Sequence, residues 1–502
     1  MKTPLLTAIA ALLLLDTIVT TAAEPIDIGS RLELMIDEHL VASTSGGIHL
    51  QLHKPVRRNV ALVTDRPWEG NACTYTSVFQ DGKRFRMYFG SYHYVTTEGK
   101  LTEAHRPYTC YAESRDGIHW TRPQLGLVAF EGSKQNNIVL SENTIKDIPV
   151  DPGHIAVFKD SNPLCPPEAQ YKAIIRSRQQ RGLYALKSPD GLRFSPLSTR
   201  LIITDGAFDS ENLAFWDSAR GEYRVYFRDF RDGIRGIKTA TSKDFLQWSK
   251  PKWLVFPGAP NEHLYTNQVL PYARAPHILF GFPMRYIDRG WVDSTGKLPR
   301  PELRRLRASV SPRYGSAVTD GLMMTSRDGL TFKRWGEALL RPGPSRTSSW
   351  VYGDNVIAWG MLSTGSDLPR APRELSLYAA ESYWTGKSLN LRRYSIRTDG
   401  FVSMQAPLAG GEFVTRPLVF TGEKLVINYS TSAAGGVWVE IQDADGRPIK
   451  GHTRADCHEV FGDEIERVVA WKGTDTVAGL ASRPIRLRFI LKDADLFSFR
   501  FR

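Results

Sequence analysis

Carboxylates and aromatic residues recur in this sequence just ahead of short apolar runs. The carboxylates of interest are Glu69, Asp209, Glu211 and Glu262. Cleavage of a glycosidic bond needs one carboxyl group that protonates the leaving oxygen and an ionised one that activates water or attacks carbon. Aromatic faces stack on sugar rings, and amide, imidazole or guanidinium groups bind the hydroxyls. These residue types therefore predict a glycan-cleaving site.

The roles of these residues follow from their surroundings in the sequence. Glu211 is the predicted general acid, because it lies in an apolar run where exclusion of water raises a carboxyl pKa. Asp209 and Glu69 are candidates for base or nucleophile, and Glu262 for substrate binding or acid/base work. Each carboxylate has a structural role as its alternative, which for Glu211 is an ion pair with an arginine across the channel. The predicted substrate-binding residues are Trp68, Asn71, His154, Asn212, His263, Tyr265, Arg285, Tyr352 and Asp354.

A repeated motif indicates which elements position these residues. Ser-x-Asp-x-x-x-Trp/Phe occurs four times, each time at the end of an apolar run. A Ser/Asp turn followed by an aromatic is typical of a hairpin corner, in which the polar side chains bond the local backbone. Repetition at such intervals predicts radially repeated four-stranded units, a β-propeller. The four copies span residues 114–120, 188–194, 242–248 and 326–332.

The rest of the chain completes an all-β prediction. A degenerate fifth blade is expected over residues 350–384, with Trp350–Trp359 as its inner strand. Steady alternation after residue 400 predicts a β-sandwich. The predicted domains are a signal peptide at 1–23, a five-bladed propeller at 24–397 and the sandwich at 398–502. In a propeller, the residues that begin the inner strands face the central cavity, which is where the candidate residues lie.

Composition limits the possible partners. Lys2, an apolar run and a small-residue cleavage site predict export to the periplasm or the extracellular space. The net charge of +12 is compatible with solvated surface, and in an exported protein it favours an anionic glycan over nucleic acid. No transmembrane segment is predicted. Four scattered cysteines allow two disulfides but do not have metal-site spacing. No cofactor or metal is expected, although a structural cation such as calcium is compatible with a propeller channel.

At the level of architecture the chain resembles the five-bladed propeller glycosidases, nearest to glycoside hydrolase families 32 and 43. The resemblance is carried by the signal peptide, the Ser-x-Asp corners and the C-terminal sandwich. It is also similar to uncharacterised exported proteins of planctomycete-type bacteria, with runs such as Asp209-Ser-Glu-Asn212 and His263-Leu-Tyr-Thr-Asn267. The Asn-Asp-Pro-Asn-Gly nucleophile motif and the Glu-Cys-Pro acid motif of fructosidases are absent. The resemblance thus implies a carboxylate-based glycan site at the axis without fructan specificity.

Three functions remain open from the sequence. The first is an exported glycoside hydrolase acting on a poly- or oligosaccharide, including acidic ones. The second is a non-catalytic glycan-binding propeller. The third is a polysaccharide lyase with Tyr265 or His263 as base. The sugar, the linkage and the retaining or inverting outcome stay open, because the outcome depends on the distance between two carboxyl groups.

Overall fold

The computed structural model describes residues 24–502, and nearly all regular structure in it is β. The predicted all-β class is confirmed, while the predicted signal peptide at 1–23 lies outside the described residues. Within the part of the chain that is described, no helix is long and apolar enough to cross a membrane. All four cysteines are free thiols, so the two disulfides that the sequence allowed do not form.

Five four-stranded antiparallel sheets occupy the first four-fifths of the chain; in four of them the strands follow chain order, and the fifth takes one strand from the N-terminal region. We number them sheet 1 to sheet 5. Sheet 1 contains Thr76–Asp81, Arg84–Ser91, Tyr108–Ser114 and Ile138–Leu140; sheet 2 contains Val150–Lys159, Tyr171–Ser177, Leu183–Ser188 and Ser195–Pro196; sheet 3 contains Leu213–Asp217, Glu222–Arg231, Ile234–Ser242 and Lys252–Trp253; sheet 4 contains Leu270–Tyr272, Ala275–Gly281, Met324–Ser326 and Lys333–Arg334; sheet 5 contains Leu362–Thr364, Glu374–Glu381, Asn390–Arg397 and, from the N-terminal region, Val56–Val63.

The Ser-x-Asp motif forms the corner after the third strand of sheets 1 to 4, as predicted. In sheet 2, the Ser188 hydroxyl accepts the backbone N–H of Gly191 at 2.9 Å. The Asp190 carboxylate accepts the next two backbone N–H groups at 2.8 Å. The same bonds recur at the other three corners. Gly191 adopts a φ of +75°, and Phe245 holds the matching position of sheet 3 at +69° without the freedom of glycine.

The first strands of neighbouring sheets contact one another in sequence. The backbone N–H of Val157 donates to the Ser77 hydroxyl at 3.2 Å, joining sheets 2 and 1. Just ahead of sheet 4, the Asn267 amide reaches the carbonyl of Glu211 ahead of sheet 3 at 3.5 Å. Trp359, ahead of sheet 5, donates its indole N–H to Val269 at 2.8 Å and its backbone N–H to Thr76 at 2.7 Å. Contacts therefore run from sheet 5 back to sheet 1.

A ten-stranded sheet holds both ends of the described chain. Its four N-terminal strands lie in the segment that the sequence assigned to the propeller, so the structure differs from the predicted boundary here. The reason is hydrogen bonding: each of these strands pairs with a strand that follows residue 400. The ten strands are Ile26–Gly29, Glu33–Leu34, Val41–Ser45, His49–Leu52, Val402–Ala406, Gly411–Thr415, Leu418–Phe420, Leu425–Asp443, Asp463–Val468 and Ile485–Phe501.

Two insertions extend beyond the four-stranded sheets. Sheet 1 carries the hairpin Tyr94–Thr97 and Lys100–Glu103. Sheet 4 carries a three-stranded sheet and three short helices, which we call the helical insertion. The backbone N–H of Gly99 donates to the Ser309 hydroxyl at 2.8 Å, so the hairpin and the insertion touch. The insertion contains His263–Leu264, Met284–Asp288, Asp293–Gly296, Pro301–Val310, Arg313–Ser316 and Ala317–Gly321, and two 3₁₀ turns elsewhere span Pro167–Ala169 and Ala478–Leu480.

Candidate functional site

A two-part cavity opens at the end of the five sheets where their first strands begin. The inner chamber has a volume of about 120 Å³ and the outer cleft about 540 Å³. Asp209, Tyr265 and Arg313 line both parts, which join them into one site. The inner chamber is lined chiefly by aromatic side chains, namely Tyr75, Tyr92, Tyr94, Tyr314, Tyr352, Tyr383 and Trp384, together with His154.

A distortion of sheet 2 brings polar groups to this cavity. Its first strand loses regular pairing between Val150 and Ile155, and Asp151 and His154 lie in that interval. The strand packs closely on sheet 1 here, because a Cβ at Gly153 would stand 2.1 Å from the Tyr92 hydroxyl. Only glycine permits this approach. Tyr92 in turn donates to the Asp151 carboxylate at 3.0 Å.

His154 bridges two carboxylates. Its Nδ1 lies 3.0 Å from Asp151, and its Nε2 lies 3.3 Å from Asp209. Burial alone would lower the pKa of His154, but the charges and hydrogen bonds of the two carboxylates outweigh it and raise the pKa to about 9. The imidazole is therefore a cation at neutral pH.

Asp209 is the member of this group that is both ionised and accessible to a substrate. Its side chain is 63% exposed at the junction of the chamber and the cleft. The hydrogen bond from His154 comes first among the causes that hold the pKa of Asp209 well below its usual range, and the charges of Arg228 and Arg176 add to it. Arg176 lies 3.4 Å away and Arg228 3.8 Å away. The carboxylate is thus ionised and oriented, as a general base or nucleophile must be.

The raised pKa of His154 predicts a pH dependence of stability. Because the folded pKa exceeds the unfolded value of 6.5, the stabilisation is complete below pH 6.5 and is lost as the pH rises through 9. We expect wild type to lose about 3 kcal/mol relative to His154→Gln over that window. The measurement is urea unfolding of both proteins at pH 5 to 10. A constant difference across the range would contradict the assignment of a charged imidazole.

Two arginine side chains lie close to the ring of Tyr265, which lines the same cavity as this ion network. The guanidinium carbons of Arg228 and Arg235 lie 4.9 and 5.2 Å from its ring centre. The Ser210 hydroxyl, next to Asp209 in the chain, donates to the Tyr265 carbonyl at 2.7 Å. This bond ties the Asp209 loop to Tyr265. The Tyr352 ring packs edge-on against Tyr265 at 6.0 Å between centres.

Four of the residues predicted from sequence line the cavity: Asp209, His154, Tyr265 and Tyr352. Glu211, the predicted general acid, is fully buried and does not line it. Gln268 donates to one of its carboxylate oxygens at 2.6 Å, and the other has no partner. Burial raises the pKa of Glu211 well above its usual range. The raised pKa matches the prediction, but the placement is behind the wall rather than in the chamber.

Asp354 and Asn212 also lie behind the wall. Burial raises the pKa of Asp354 to about 8. Its carboxylate accepts the backbone N–H of Tyr383 at 2.9 Å. The Asn212 amide donates to the carbonyls of Phe208 and Ser210 at 3.1 and 2.9 Å. Both side chains therefore stabilise, through hydrogen bonds, the loops that carry cavity residues. Neither side chain lines the cavity itself.

Glu69, Trp68 and Asn71 are held by protein partners on the outer side of sheet 1. Arg122 binds both oxygens of Glu69 at 2.6 and 2.9 Å. Trp68 donates to Asn137 at 2.6 Å. The Asn71 amide spans Tyr94 and Gly386. Glu69 thus takes the structural alternative, a buried carboxylate paired with an arginine.

The ion pair of Glu69 predicts a stability defect and no specific loss of chemistry. Glu69→Gln removes the buried, bidentate partner of the Arg122 guanidinium and leaves it only the exposed Asp65 carboxylate at 3.6 Å, so we expect a loss of about 3 kcal/mol in unfolding free energy. Urea unfolding of this variant beside Glu98→Gln, which changes an exposed glutamate of the hairpin, measures it. A stable Glu69→Gln protein that had lost activity would instead place Glu69 in the chemistry.

Glu262, His263 and Arg285 form a separate group at the edge of the helical insertion. Arg285 binds both oxygens of Asp320 at 3.0 and 2.7 Å and lies 3.3 Å from Glu262. Arg334 lies 2.5 Å from Glu262. The Nδ1 of His263 accepts the backbone N–H of Arg235 at 3.1 Å. Arg285, predicted to bind substrate, therefore holds a carboxylate of the protein and does not line the cavity.

Several cavity residues were not predicted from the sequence. Tyr75 directly precedes the first strand of sheet 1, so the rule that selected the other candidates could also have selected it. Arg235 lies on a hairpin of sheet 3, and Arg313 and Tyr314 come from the helical insertion. No local signal connects an insertion to a cavity that it covers. Among residues 24–502, no cluster of histidine, cysteine and carboxylate side chains could hold a metal ion.

A second cavity of about 910 Å³ opens at the opposite end of the first strands. Its wall is mainly apolar, with Val78, Phe158, Phe215 and Trp359 among the lining residues. The ten-stranded sheet contributes Ile465 and Glu466 to its rim. Although this cavity is larger, it lacks a network of charged groups like that around Asp209. The chemistry therefore favours the smaller, two-part cavity as the candidate site.

No family model and no curated protein matches this sequence. Solved structures give distant likenesses. A glycoside hydrolase has a TM-score of 0.42 at 11% identity, covering 68% of this chain and 92% of its own. An N-acetylgalactosamine deacetylase from F. plautii scores 0.40 at 12% identity, over 71% and 96%. A glycosyl hydrolase from Bacteroides ovatus scores 0.38 at 12% identity, over 72% and 99%. Scores this low carry no argument about this chain.

Proposed function

We propose that this protein is a glycoside hydrolase that acts in the two-part cavity, with Asp209 as its catalytic carboxylate. One observation carries the proposal. Among the described residues, Asp209 is the one carboxylate that lines the cavity, and it is held ionised there by His154. The aromatic wall provides faces on which sugar rings stack. The proposed reaction is the one predicted from the sequence. Asp209 keeps its predicted role, whereas Glu211 is no longer the general acid.

The proposed architecture is a five-bladed propeller followed by a β-sandwich. Five consecutive four-stranded sheets support the blades, as do the contacts that run between first strands from sheet 5 back to sheet 1. The N-terminal strand Val56–Val63 would then close the fifth blade. The ten-stranded sheet, folded around a shared core, would be the sandwich. Export of the mature chain is proposed on the N-terminal sequence alone.

In the proposed reaction Asp209 takes a proton from water, or attacks the anomeric carbon itself. Its ionised state suits either role, and the charges of His154 and Arg228 would keep it oriented. The positive charge that develops on the sugar in the transition state would be stabilised by the carboxylate. Asp151 acts as a positioning residue, since it does not line the cavity and acts through His154, whereas His154 lines the inner chamber itself and also orients Asp209.

The leaving oxygen needs a proton, and we assign its donor to Tyr265. No second carboxylate lines the cavity among the described residues, so the donor must be a phenol or the imidazolium. Burial raises the pKa of Tyr75, Tyr94 and Tyr383 well above the ordinary value, which makes those phenols poor donors. The guanidinium carbons of Arg228 and Arg235 lie 4.9 and 5.2 Å from the centre of the Tyr265 ring. Their charges would stabilise the phenolate as the proton leaves.

Elimination is the second candidate, favoured by the single lining carboxylate. A lyase needs a base that removes a proton beside a uronic carboxylate and a cation that stabilises the resulting charge. Tyr265 between two arginines has the residue types for this, as the sequence had suggested. His263 has not, because it does not line the cavity and its Nδ1 is already an acceptor for Arg235.

Incubation with a panel of neutral, uronic and sulfated glycans separates these functions. Hydrolysis generates new reducing ends without ultraviolet absorbance, whereas elimination generates an absorbing unsaturated product. Reducing ends alone would support the proposed hydrolase. An absorbing product would establish the lyase. Binding of a glycan without any bond cleavage would overturn both in favour of a glycan-binding module.

A further inference from the structure

Six arginines surround the outer cleft, and only one carboxylate lines it. Most of these arginines are already paired with acidic groups. Each of the following has a carboxylate within 4 Å: Arg176 with Asp151 and Asp209, Arg178 with Glu142, Arg181 with Asp229, and Arg228 with Asp209. Carboxylates of the protein therefore already balance the charges of these four arginines.

Arg235 and Arg313 differ from the other four. Among residues 24–502, neither has a carboxylate within 4 Å. The Nε of Arg235 and the Nη1 of Arg313 are buried and have no hydrogen-bond acceptor. A buried N–H group without an acceptor is costly, and a charged one more so. Both side chains line the outer cleft, so a ligand in the cleft could supply the missing acceptors.

The two arginines belong to the same aromatic group. The guanidinium of Arg235 lies 5.2 Å from the Tyr265 ring centre and 4.9 Å from that of Tyr286. The guanidinium of Arg313 lies 4.6 Å from the Tyr314 ring and 5.5 Å from the Tyr352 ring. Packing on rings orients both guanidinium groups, and each makes one long side-chain contact: Arg235 Nη1 lies 3.4 Å from His263 Nδ1, and Arg313 Nη2 lies 3.4 Å from the Tyr314 hydroxyl. A planar guanidinium edge matches the two oxygens of a carboxylate or sulfate.

We propose that Arg235 and Arg313 form an oxyanion subsite that selects a sugar bearing a carboxylate or a sulfate ester. This inference rests on the proposed glycan-cleaving function and gives it a substrate class. The oxyanion would lie in the outer cleft, and the sugar ring would pack on the tyrosines beside Asp209. The chemistry of the subsite is shared by uronic and sulfated sugars, which the test separates.

The test is calorimetric titration of the protein with matched sugars. D-galacturonate and D-glucuronate represent the carboxylate, D-galactose 6-sulfate the sulfate, and D-galactose and D-glucose the neutral counterparts. We expect at least one anionic sugar to bind about tenfold or more tightly than its neutral counterpart, as charge-assisted bonds to a guanidinium would give. The anionic sugar that binds more tightly shows whether the subsite recognises a carboxylate or a sulfate ester. Equal or undetectable binding of the anionic and neutral sugars would overturn the subsite.

Variants locate the effect. The double variant Arg235→Gln, Arg313→Gln should lose the anionic preference and keep its weak affinity for the neutral sugar. Arg231→Gln, an exposed arginine of sheet 3 outside the cavity, controls for general charge and should keep the preference. The double variant Arg235→Lys, Arg313→Lys retains the charge without the planar edge. Its preference for the anionic sugar should be intermediate between those of wild type and the double glutamine variant. Should the double variant fail to unfold cooperatively, the two single variants replace it, and a preference retained in both would overturn the assignment.

The subsite and the proposed function can fail separately. Hydrolysis of a neutral glycan, unaffected by Arg313→Gln, together with equal binding of anionic and neutral sugars, would remove the subsite and leave the hydrolase. Anionic preference in titration, with no cleavage of any glycan in the panel, would keep the subsite and remove the hydrolase.

Discussion

Asp209→Asn is expected to reduce glycan hydrolysis by about 10³-fold or more, the scale on which a charged group that acts at the reacting centre contributes. Asparagine has the same shape, so the cavity keeps its form, but the amide neither accepts a proton from water nor attacks carbon. Because His154 loses one of the two carboxylates that stabilise its charge, we also expect a loss of stability at neutral pH, so rates are compared at a temperature where both proteins are folded. The measurement is the initial rate of reducing-end release on whichever glycan the panel identifies.

Asp205→Asn is the matched control for this substitution. Asp205 lies four residues earlier, is 60% exposed and pairs with Lys238 at 2.9 Å outside the cavity. Its variant should hydrolyse at the wild-type rate. Retention of most activity in Asp209→Asn would remove Asp209 from the chemistry and make the two buried carboxyl groups behind the wall, Glu211 and Asp354, the next candidates.

Tyr265→Phe is expected to slow cleavage of the natural glycan by about 10² to 10⁴, the range for loss of a general acid. The loss should depend on the leaving group. A dinitrophenyl glycoside of the same sugar departs without a proton, so the variant should cleave it at nearly the wild-type rate. Asp209→Asn should not be rescued by this substrate, because a good leaving group does not replace the base or nucleophile.

The rescue experiment needs one more comparison. Tyr184→Phe changes a buried tyrosine of sheet 2 that does not line the cavity, and its rates on both substrates should match wild type. Equal loss on both substrates in Tyr265→Phe would mean that the phenol binds the sugar and does not donate the proton. In that case the donor role would pass to His154.

The corners and the first strands could be predicted from the sequence because their signals are local. The four Ser-x-Asp copies fix a backbone turn through bonds within a few residues, as Ser188 and Asp190 show. The apolar first strands of sheets 1 to 4 follow from composition, whereas the first strand of sheet 5, predicted at Trp350–Trp359, lies at Leu362–Thr364. The rule that residues ahead of these strands gather at one place selected Asp209, His154, Tyr265 and Tyr352, all of which line the cavity.

The rest depended on contacts between distant parts of the chain. Glu69 precedes a first strand like the others, but Arg122 binds it across 53 positions of sequence. The fifth sheet takes its last strand from Val56–Val63, far from its other three. Arg313 reaches the cavity from an insertion whose length says nothing of where it packs. Partner choice over such distances is set by packing in three dimensions, which a single sequence does not display.

The most direct test of the central claim is a crystal structure of Asp209→Asn with its glycan bound. The account predicts a sugar ring in the inner chamber against Tyr265 and Tyr352, with the scissile bond beside the amide at position 209. A glycan seated in the apolar cavity at the opposite end of the sheets, or on the ten-stranded sheet, would contradict it.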